Sequence, residues 1–413
     1  MSDIIAAIDV GTCKICALIA EVVDDEREEP LNLIGVGHAP ARGLHKGMVV
    51  NVAEASEAIA QAVEEAEVAA GLPMPRAYVG ISGEHISTIS NRGVVAVSRS
   101  SQGITRQDVE RALEAARTTA PVPHGREIIH TLARRFTLDE QTGIRDPIGM
   151  QGHRLEVEAQ IVFGSSSAIA NLVKCVRAYD VEVEELVLEP LASGEAVLTP
   201  AERELGVVVV DIGGGTTDMA IFLEDSLWHT VVREVGGNLF TRDVAIGLRT
   251  PFEVAEELKI RYGHVLPERF PAEEKIHAPA FGDGGSITVS RRTLAYILAA
   301  RAEETLELIL TEIKRSGYDG MLPAGMVLCG GTAQLPGLKT LSQKMLQWPV
   351  RIGSPNSLPG LGRDIANPAF ATGIGLLLWG WRQRKQTGKK RRSPGHGPLM
   401  DRVIEWLRNL LPG

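Results

Sequence analysis

Two stretches decide the fold: IIAAIDVGTCKICALIAEV (residues 4–22) and GVVVVDIGGGTTDMAIFLED (residues 206–225). Each runs through apolar residues to an aspartate, Asp9 or Asp211, turns on glycine and threonine, and continues into a second apolar run. β-Branched and small apolar residues ahead of a glycine turn mark a buried strand that doubles back as a hairpin. Two copies about 200 residues apart predict two related α/β domains facing each other. A third strand-to-glycine junction, GMVLCGGTAQLPGL (325–338), leads instead into the helical pattern LKTLSQKMLQ.

Bulk properties narrow the class. A chain of 413 residues is too long for one compact core, so two or more domains are expected. Its 44% hydrophobic and 23% charged residues suit a folded globular protein. The net charge of −9 disfavours general nucleic-acid binding, which needs an excess of basic residues. The opening MSDIIAAIDV has no basic n-region, so no signal peptide is expected. The longest apolar stretch, AFATGIGLLLWGW (369–381), is too short and too glycine-rich to span a bilayer and is expected as a buried helix.

The four cysteines, Cys13, Cys16, Cys175 and Cys329, form no secreted disulfide framework. Cys13 and Cys16 make a CxxC, but no second CxxC or histidine pair stands nearby to complete a zinc site, and they fall in a turn and strand rather than at a helix start. A cytoplasmic setting is expected.

Between the landmarks, residues 53–70 read as an alanine-rich acidic helix stopped by Gly71, Leu72 and Pro73. A second helix opens at Thr105 with Asp108 three residues on, close to a capping box. A third, 291–316, ends at Gly317. Strand patterns at GVVAV, EIIHTLARRFTL and RLEVEAQIVF surround the Thr105 helix and predict a small α+β insertion.

The glycine turns carry the chemistry. A phosphate chain needs converging backbone N–H donors without side chains in the way. Gly11, Thr12, Cys13 and Lys14 offer such donors after one strand, and Gly213, Gly214, Gly215, Thr216 and Thr217 after the other, with threonine hydroxyls added. Facing turns would grip phosphates from two sides, with Lys14 neutralising charge. Asp9 and Asp211 sit at matching strand ends and suit a hydrated Mg2+, which keeps most of its waters. CGGTAQ (329–334) would let backbone pass close against a nucleoside. No GxxxxGK[ST] occurs, which excludes a P-loop NTPase, and the GVG at 35–37 lacks the following helix of a Rossmann site.

In this order the three turns resemble the phosphate-1, phosphate-2 and adenosine motifs of the actin, Hsp70 and sugar-kinase superfamily. The resemblance implies an α/β, actin-like two-domain ATPase fold with duplicated RNase H-like domains, and ATP as ligand. It puts Gly330, Gly331, Thr332 and Ala333 at the adenosine. LEPLASGEAV (188–197) is similar to the first connecting helix, which makes Glu189 the candidate for orienting the attacking water. AEELK (255–259) resembles the adenosine-contacting segment, implicating Glu256 and Lys259. VGGN (235–238) resembles the glycine pair near the ribose, implicating Gly236, Gly237 and Asn238.

Within that superfamily the similarity is greatest to the FtsA family, because GIRDPIGMQGHRLEVEAQIV (143–162) resembles the end of its subdomain 1C insertion. Cys13 stands where relatives often carry Ser, Thr or Ala. The resemblance implies subdomain 1A at 1–83, 162–200 and 358–382, 1C at 84–161, 2A at 201–242 and 301–357, and 2B at 243–300. It further implies a filament-forming cell-division adaptor at the cytoplasmic face of the membrane. Subdomain 2B would capture the FtsZ C-terminal tail, further division proteins would be recruited, and any ATP hydrolysis would be slow. A PilM-like pilus-assembly scaffold and a sugar or acetate kinase are the alternatives. An Hsp70-class chaperone lacks support, since no β-rich peptide-binding domain follows.

The C-terminus adds an independent signal. Arg382, Arg384, Lys385, Lys389, Lys390, Arg391 and Arg392 come without an acidic residue between them, SPGHGP follows, and 383–397 is expected as a basic flexible linker. In 398–413, Leu399, Met400, Val403, Ile404, Trp406, Leu407, Leu410 and Leu411 fall within an arc of about 160° on a helical wheel. Asp401, Arg402, Glu405, Arg408 and Asn409 fill the other side. An amphipathic helix on a basic tether suits an anionic lipid surface, with docking onto a partner's groove or back onto the chain's own body as the competing readings.

Overall fold

The computed structural model describes residues 3–23, 31–97, 103–279, 285–355, 358–360 and 365–387. The amphipathic helix expected at 398–413, with its membrane-facing set Leu399 to Leu411, lies outside the described residues.

The duplicated sequence pattern folds into two sheets of one topology. In the first, the order is Glu182–Leu188, Arg76–Ile81, Ile4–Val10, Lys14–Val22, Leu31–Pro40. In the second it runs, from the opposite edge, Ser226–Arg233, Thr217–Leu223, Val207–Ile212, Met326–Cys329, Val350–Ile352. Each is a three-stranded antiparallel meander extended by two parallel strands. The central strands are buried almost throughout, which is why their sequences read as continuous apolar runs rather than alternating ones. Two large apolar cores follow: one surrounds the first sheet and also takes in Val207, Val209, Ala220, Phe222 and Val327 of the second, and the other packs on the alternate residues Val208, Val210, Ile212, Met219 and Ile221 of the second sheet.

Helix limits follow their caps. Asn51 accepts from the backbone N–H groups of Ala53 and Glu54 and starts the helix Val52–Ala70, which Gly71 ends in the left-handed conformation. Its alanines let it lie close on the first sheet: a side chain at Gly37 would meet the Ala62 carbonyl oxygen at 2.0 Å. That contact explains the GVG stretch as packing. The long helix Arg291–Ser316 ends on Gly317 with φ of 78°.

A third core belongs to an inserted sheet in the order Ser87–Ala96, Arg154–Ser165, Arg126–Leu138, Gln141–Ile144. The helix Arg106–Thr118 packs on it, entered by the Thr105–Asp108 capping box. This unit also reaches the second lobe. Arg135 pairs with Glu224 at 3.0 Å, Arg145 with Glu204 at 2.5 Å, and the Arg134 guanidinium lies 4.0 Å from the Trp228 ring centre.

The last described helix, Ala371–Thr387, contains the apolar stretch 371–381 and packs on the helix Glu189–Val197. It runs on into the segment expected as linker from residue 383. Ion pairs account for this: Arg382 reaches buried Glu195, and Arg384 lies 2.7 Å from Asp3. Among the described residues, no helix is long and apolar enough to cross a membrane.

Candidate functional site

The two hairpin turns have the same backbone. Gly11 N–H donates to the Lys14 carbonyl at 3.1 Å, and Gly213 N–H donates to the Thr216 carbonyl at 2.9 Å. They meet across the cleft between the lobes. A Cβ on Gly214 would lie 2.1 Å from Cys13 Sγ, and one on Gly215 would lie 2.6 Å from Thr12 Oγ1. Only glycine allows this approach.

The remaining predicted nucleoside residues gather around the second turn. Gly237 N–H and the Thr332 hydroxyl both donate to the Gly213 carbonyl, at 2.9 and 3.0 Å, and Asn238 N–H donates to the Gly214 carbonyl at 2.8 Å. The Cys13 thiol donates to Asn238 Oδ1 at 3.2 Å, joining the turns. Thr217 ties its strand to the Val235 carbonyl at 2.6 Å, and Gly236 lies directly on the Gly213–Gly214 backbone. Glu256 and Lys259 form an ion pair of 2.7 Å, and Lys259 also donates to the Gly237 carbonyl at 3.2 Å. Gly330, at φ of 84°, presses on the Asp211 carboxylate, Gly331 stays exposed and Ala333 is buried behind it. Lys14 donates to the Ala369 carbonyl at 3.2 Å and stacks 3.3 Å from the Phe370 ring centre.

Four carboxyl groups converge under the turns. Asp9, Asp211 and Asp218 are buried, and half-buried Glu189 begins the helix Glu189–Val197. Burial pushes Asp9 up to about 7, with Lys14 opposing and Asp211 adding to the shift. Asp218 is likewise raised to about 7 by burial and by its acidic neighbours, against the stabilising Ser82 hydroxyl. Glu189 is pushed well above the carboxylate range by burial, then by Asp218, Asp9 and Asp211. Asp211 is raised by burial, against hydrogen bonds from Ser193 at 2.6 Å and Thr372 at 3.0 Å. Crowded acids in a dry pocket favour either protons or a bound cation. Among the described residues, no three His, Cys, Asp or Glu side chains converge closely enough to be direct metal ligands.

Cys16, the other half of the CxxC, lies in the core, its thiol pushed up to about 12 by burial, while Cys13 faces the cleft.

Comparison with known proteins identifies the lineage. The family model of the cell division protein FtsA matches residues 208–375, and that of the SHS2 domain inserted in FtsA matches residues 83–163. The cell division protein FtsA of Pseudomonas aeruginosa is 40% identical over 412 residues, covering 98% of this chain and 97% of the relative. That of Bacillus subtilis is 37% identical over 389 residues, covering 94% and 86%. This chain belongs to the FtsA family.

Solved structures place that family member within the actin-like fold. A PilM-PilN type IV pilus biogenesis complex aligns with a TM-score of 0.64 at 16% identity, covering 91% of this chain and 98% of the other. MreB5 of Spiroplasma citri bound to AMPPNP aligns with a TM-score of 0.51 at 15% identity, covering 94% and 100%. The fold expectation therefore stands: α/β and actin-like, with the SHS2 insertion characteristic of FtsA. At such low identity these neighbours speak for the fold alone.

Sequence reasoning missed Asp218, Ser82, Ser193 and Thr372. Asp218 had a signal: it closes the DIGGGTTD motif, and the hairpin register puts it opposite Asp211. The hydroxyl partners had none. Ser82 meets Asp218 across 136 residues, and Thr372 meets Asp211 across 161.

Proposed function

We propose that this chain binds ATP with Mg2+ in the cleft, assembles into actin-like filaments, and tethers the FtsZ ring to the cytoplasmic face of the membrane at the division site. The observation that carries the nucleotide reading is the pair of matching glycine turns meeting over Asp9 and Asp211 in a member of the FtsA family. A fold neighbour, MreB5, is known bound to AMPPNP, an ATP analogue. The turns and VGGN supply backbone and hydroxyl groups for phosphate and ribose, and Glu256, Lys259 and residues 330–333 flank the adenosine side.

The carboxyl cluster fits a hydrated magnesium ion. Asp9 and Asp211 would hold it through water, and its charge would favour the ionised carboxylates that burial disfavours. Bound there, the ion would neutralise phosphate charge. Glu189, at the start of its helix, is the residue that orients water for slow hydrolysis, and Ser193 and Thr372 keep Asp211 in place beside it.

Membrane attachment rests on 399–411, whose apolar face follows a basic tether. Each basic residue near an anionic leaflet contributes up to about 1 kcal/mol. One short helix binds reversibly, and filament assembly multiplies the anchors. Subdomain 2B, about 243–300, is assigned to capture of the FtsZ C-terminal tail, and further division proteins join the assembled filament.

Co-sedimentation with anionic liposomes tests the reading. The full chain should pellet, more strongly with ATP and Mg2+, and a chain truncated after Arg392 should stay in solution. Equal pelleting of both, or of neither, would overturn the anchor.

A further inference from the structure

A small hairpin, Leu44–His45 paired with Met48–Val49, stands at the mouth of the cleft and belongs to none of the nucleotide motifs. Its two turn residues, Lys46 and Gly47, have φ of 50° and 76°. A two-residue turn with both φ values positive favours Asn-Gly. A lysine at the first position holds a left-handed backbone at a steric cost, and such an outlier invites a functional account.

The tip touches both lobes. Gly47 N–H donates to Thr12 Oγ1 at 3.1 Å, which fastens the hairpin to the first glycine turn. A Cβ on Gly47 would lie 3.2 Å from the Ser82 carbonyl oxygen, beside the residue whose hydroxyl reaches Asp218. The Lys46 ammonium crosses the cleft to Glu234 at 2.5 Å, and Glu234 immediately precedes VGGN. Both side chains are about one-third exposed, so the pair is neither freely solvated nor buried.

We propose that the Lys46–Gly47 tip is a clasp across the nucleotide cleft, closed by the Lys46–Glu234 ion pair, and that it sets how fast nucleotide leaves. The assignment rests on the nucleotide reading above. Lys46 acts through Glu234, and its neighbour Gly47 through Thr12, so that Lys46 is a positioning residue holding the phosphate turn of one lobe against the ribose segment of the other. Opening the pair releases the tip from the second lobe and removes one tie across the cleft beside those of Cys13 to Asn238 and Ser82 to Asp218, while Gly47 keeps the hairpin on Thr12.

The test is a charge swap in the full chain: Lys46→Glu, Glu234→Lys and the double variant. Release of a fluorescent ATP analogue is followed by stopped flow, and hydrogen exchange is followed over residues 44–49. Each single variant should release nucleotide about fivefold faster and exchange faster at the hairpin, and the double variant should restore both. Unchanged release in the single variants, or a double variant no better than the two single effects combined, would overturn the clasp. If the parent chain binds no nucleotide, the ATP reading fails, and exchange at 44–49 still decides the clasp: restoration by the swap upholds the Lys46–Glu234 closure, and its absence removes it.

Discussion

In the first lobe the turn residues are Gly11, Thr12, Cys13 and Lys14, and the strand beyond places Cys16 opposite Asp9. In the second they are Gly213, Gly214, Gly215 and Thr216, and the strand beyond places Asp218 opposite Asp211. The backbone and register are the same, down to the hydrogen bond that closes each turn. The charges differ. One lobe brings a single acid and the cation Lys14, while the other brings two acids and a glycine-only approach. The same scaffold thus occurs twice, with different charges at equivalent positions.

The connecting helix between the lobes gives the largest expected effect. Glu189→Gln should lower ATP turnover by about 100-fold or more, while nucleotide affinity changes less than about threefold. Single-turnover hydrolysis alongside equilibrium titration measures both. An equal loss in each would make Glu189 a binding residue instead and leave hydrolysis to the turns.

Equivalent turn positions give the next. Lys14→Ala should weaken ATP binding by about 20-fold, with the difference shrinking at high salt, whereas Thr216→Val at the matching place should cost about threefold. Titration at two ionic strengths reads this. Equal, salt-independent losses would mean that Lys14 stays with Phe370 and Ala369 when nucleotide binds, and the proposed division of charge would fail.

The smallest effect separates Asp218 from Cys16 by pH. The folded protein holds Asp218 at about 7, above the ordinary value of 3.8, so it binds a proton more tightly than the unfolded chain does. Stability is therefore lost as pH rises from about 4 through 7. Asp218→Asn removes that loss and should raise the melting temperature at pH 8 by about 2 °C or more, with no gain at pH 5. Cys16 is held near 12 and stays neutral over this range, so Cys16→Ser should shift melting equally at pH 5 and pH 8. Scans without Mg2+ isolate the effect, since a bound cation would favour the ionised Asp218.

Much of the fold was legible because its signals are local. Gly71, the Thr105–Asp108 box and Gly317 mark helix ends through contacts within one turn of chain. The two apolar runs with their glycine turns announced two hairpins, since burial on both faces demands continuous apolar strands. The GVG of 35–37 was readable only by exclusion, because its role is to admit the Val52–Ala70 helix. The extension of the Ala371–Thr387 helix past residue 382 was not readable, because it depends on Glu195 and Asp3.

The sequence by itself determined that there are two copies of one strand–turn–strand unit, which residues form each turn, and where an aspartate ends each strand. Those properties need only the chain's own pattern of apolar, glycine and acidic residues. Only the tertiary structure decided that Cys13 meets Gly214, that Ser82 serves Asp218, that Ser193 and Thr372 both serve Asp211, and that Lys46 reaches Glu234. Hydrogen bonds and ion pairs act over a few ångströms, and several of these partners lie more than 100 residues apart. Their meeting is set by how the two lobes and the elements packed on them close together, which no local pattern records.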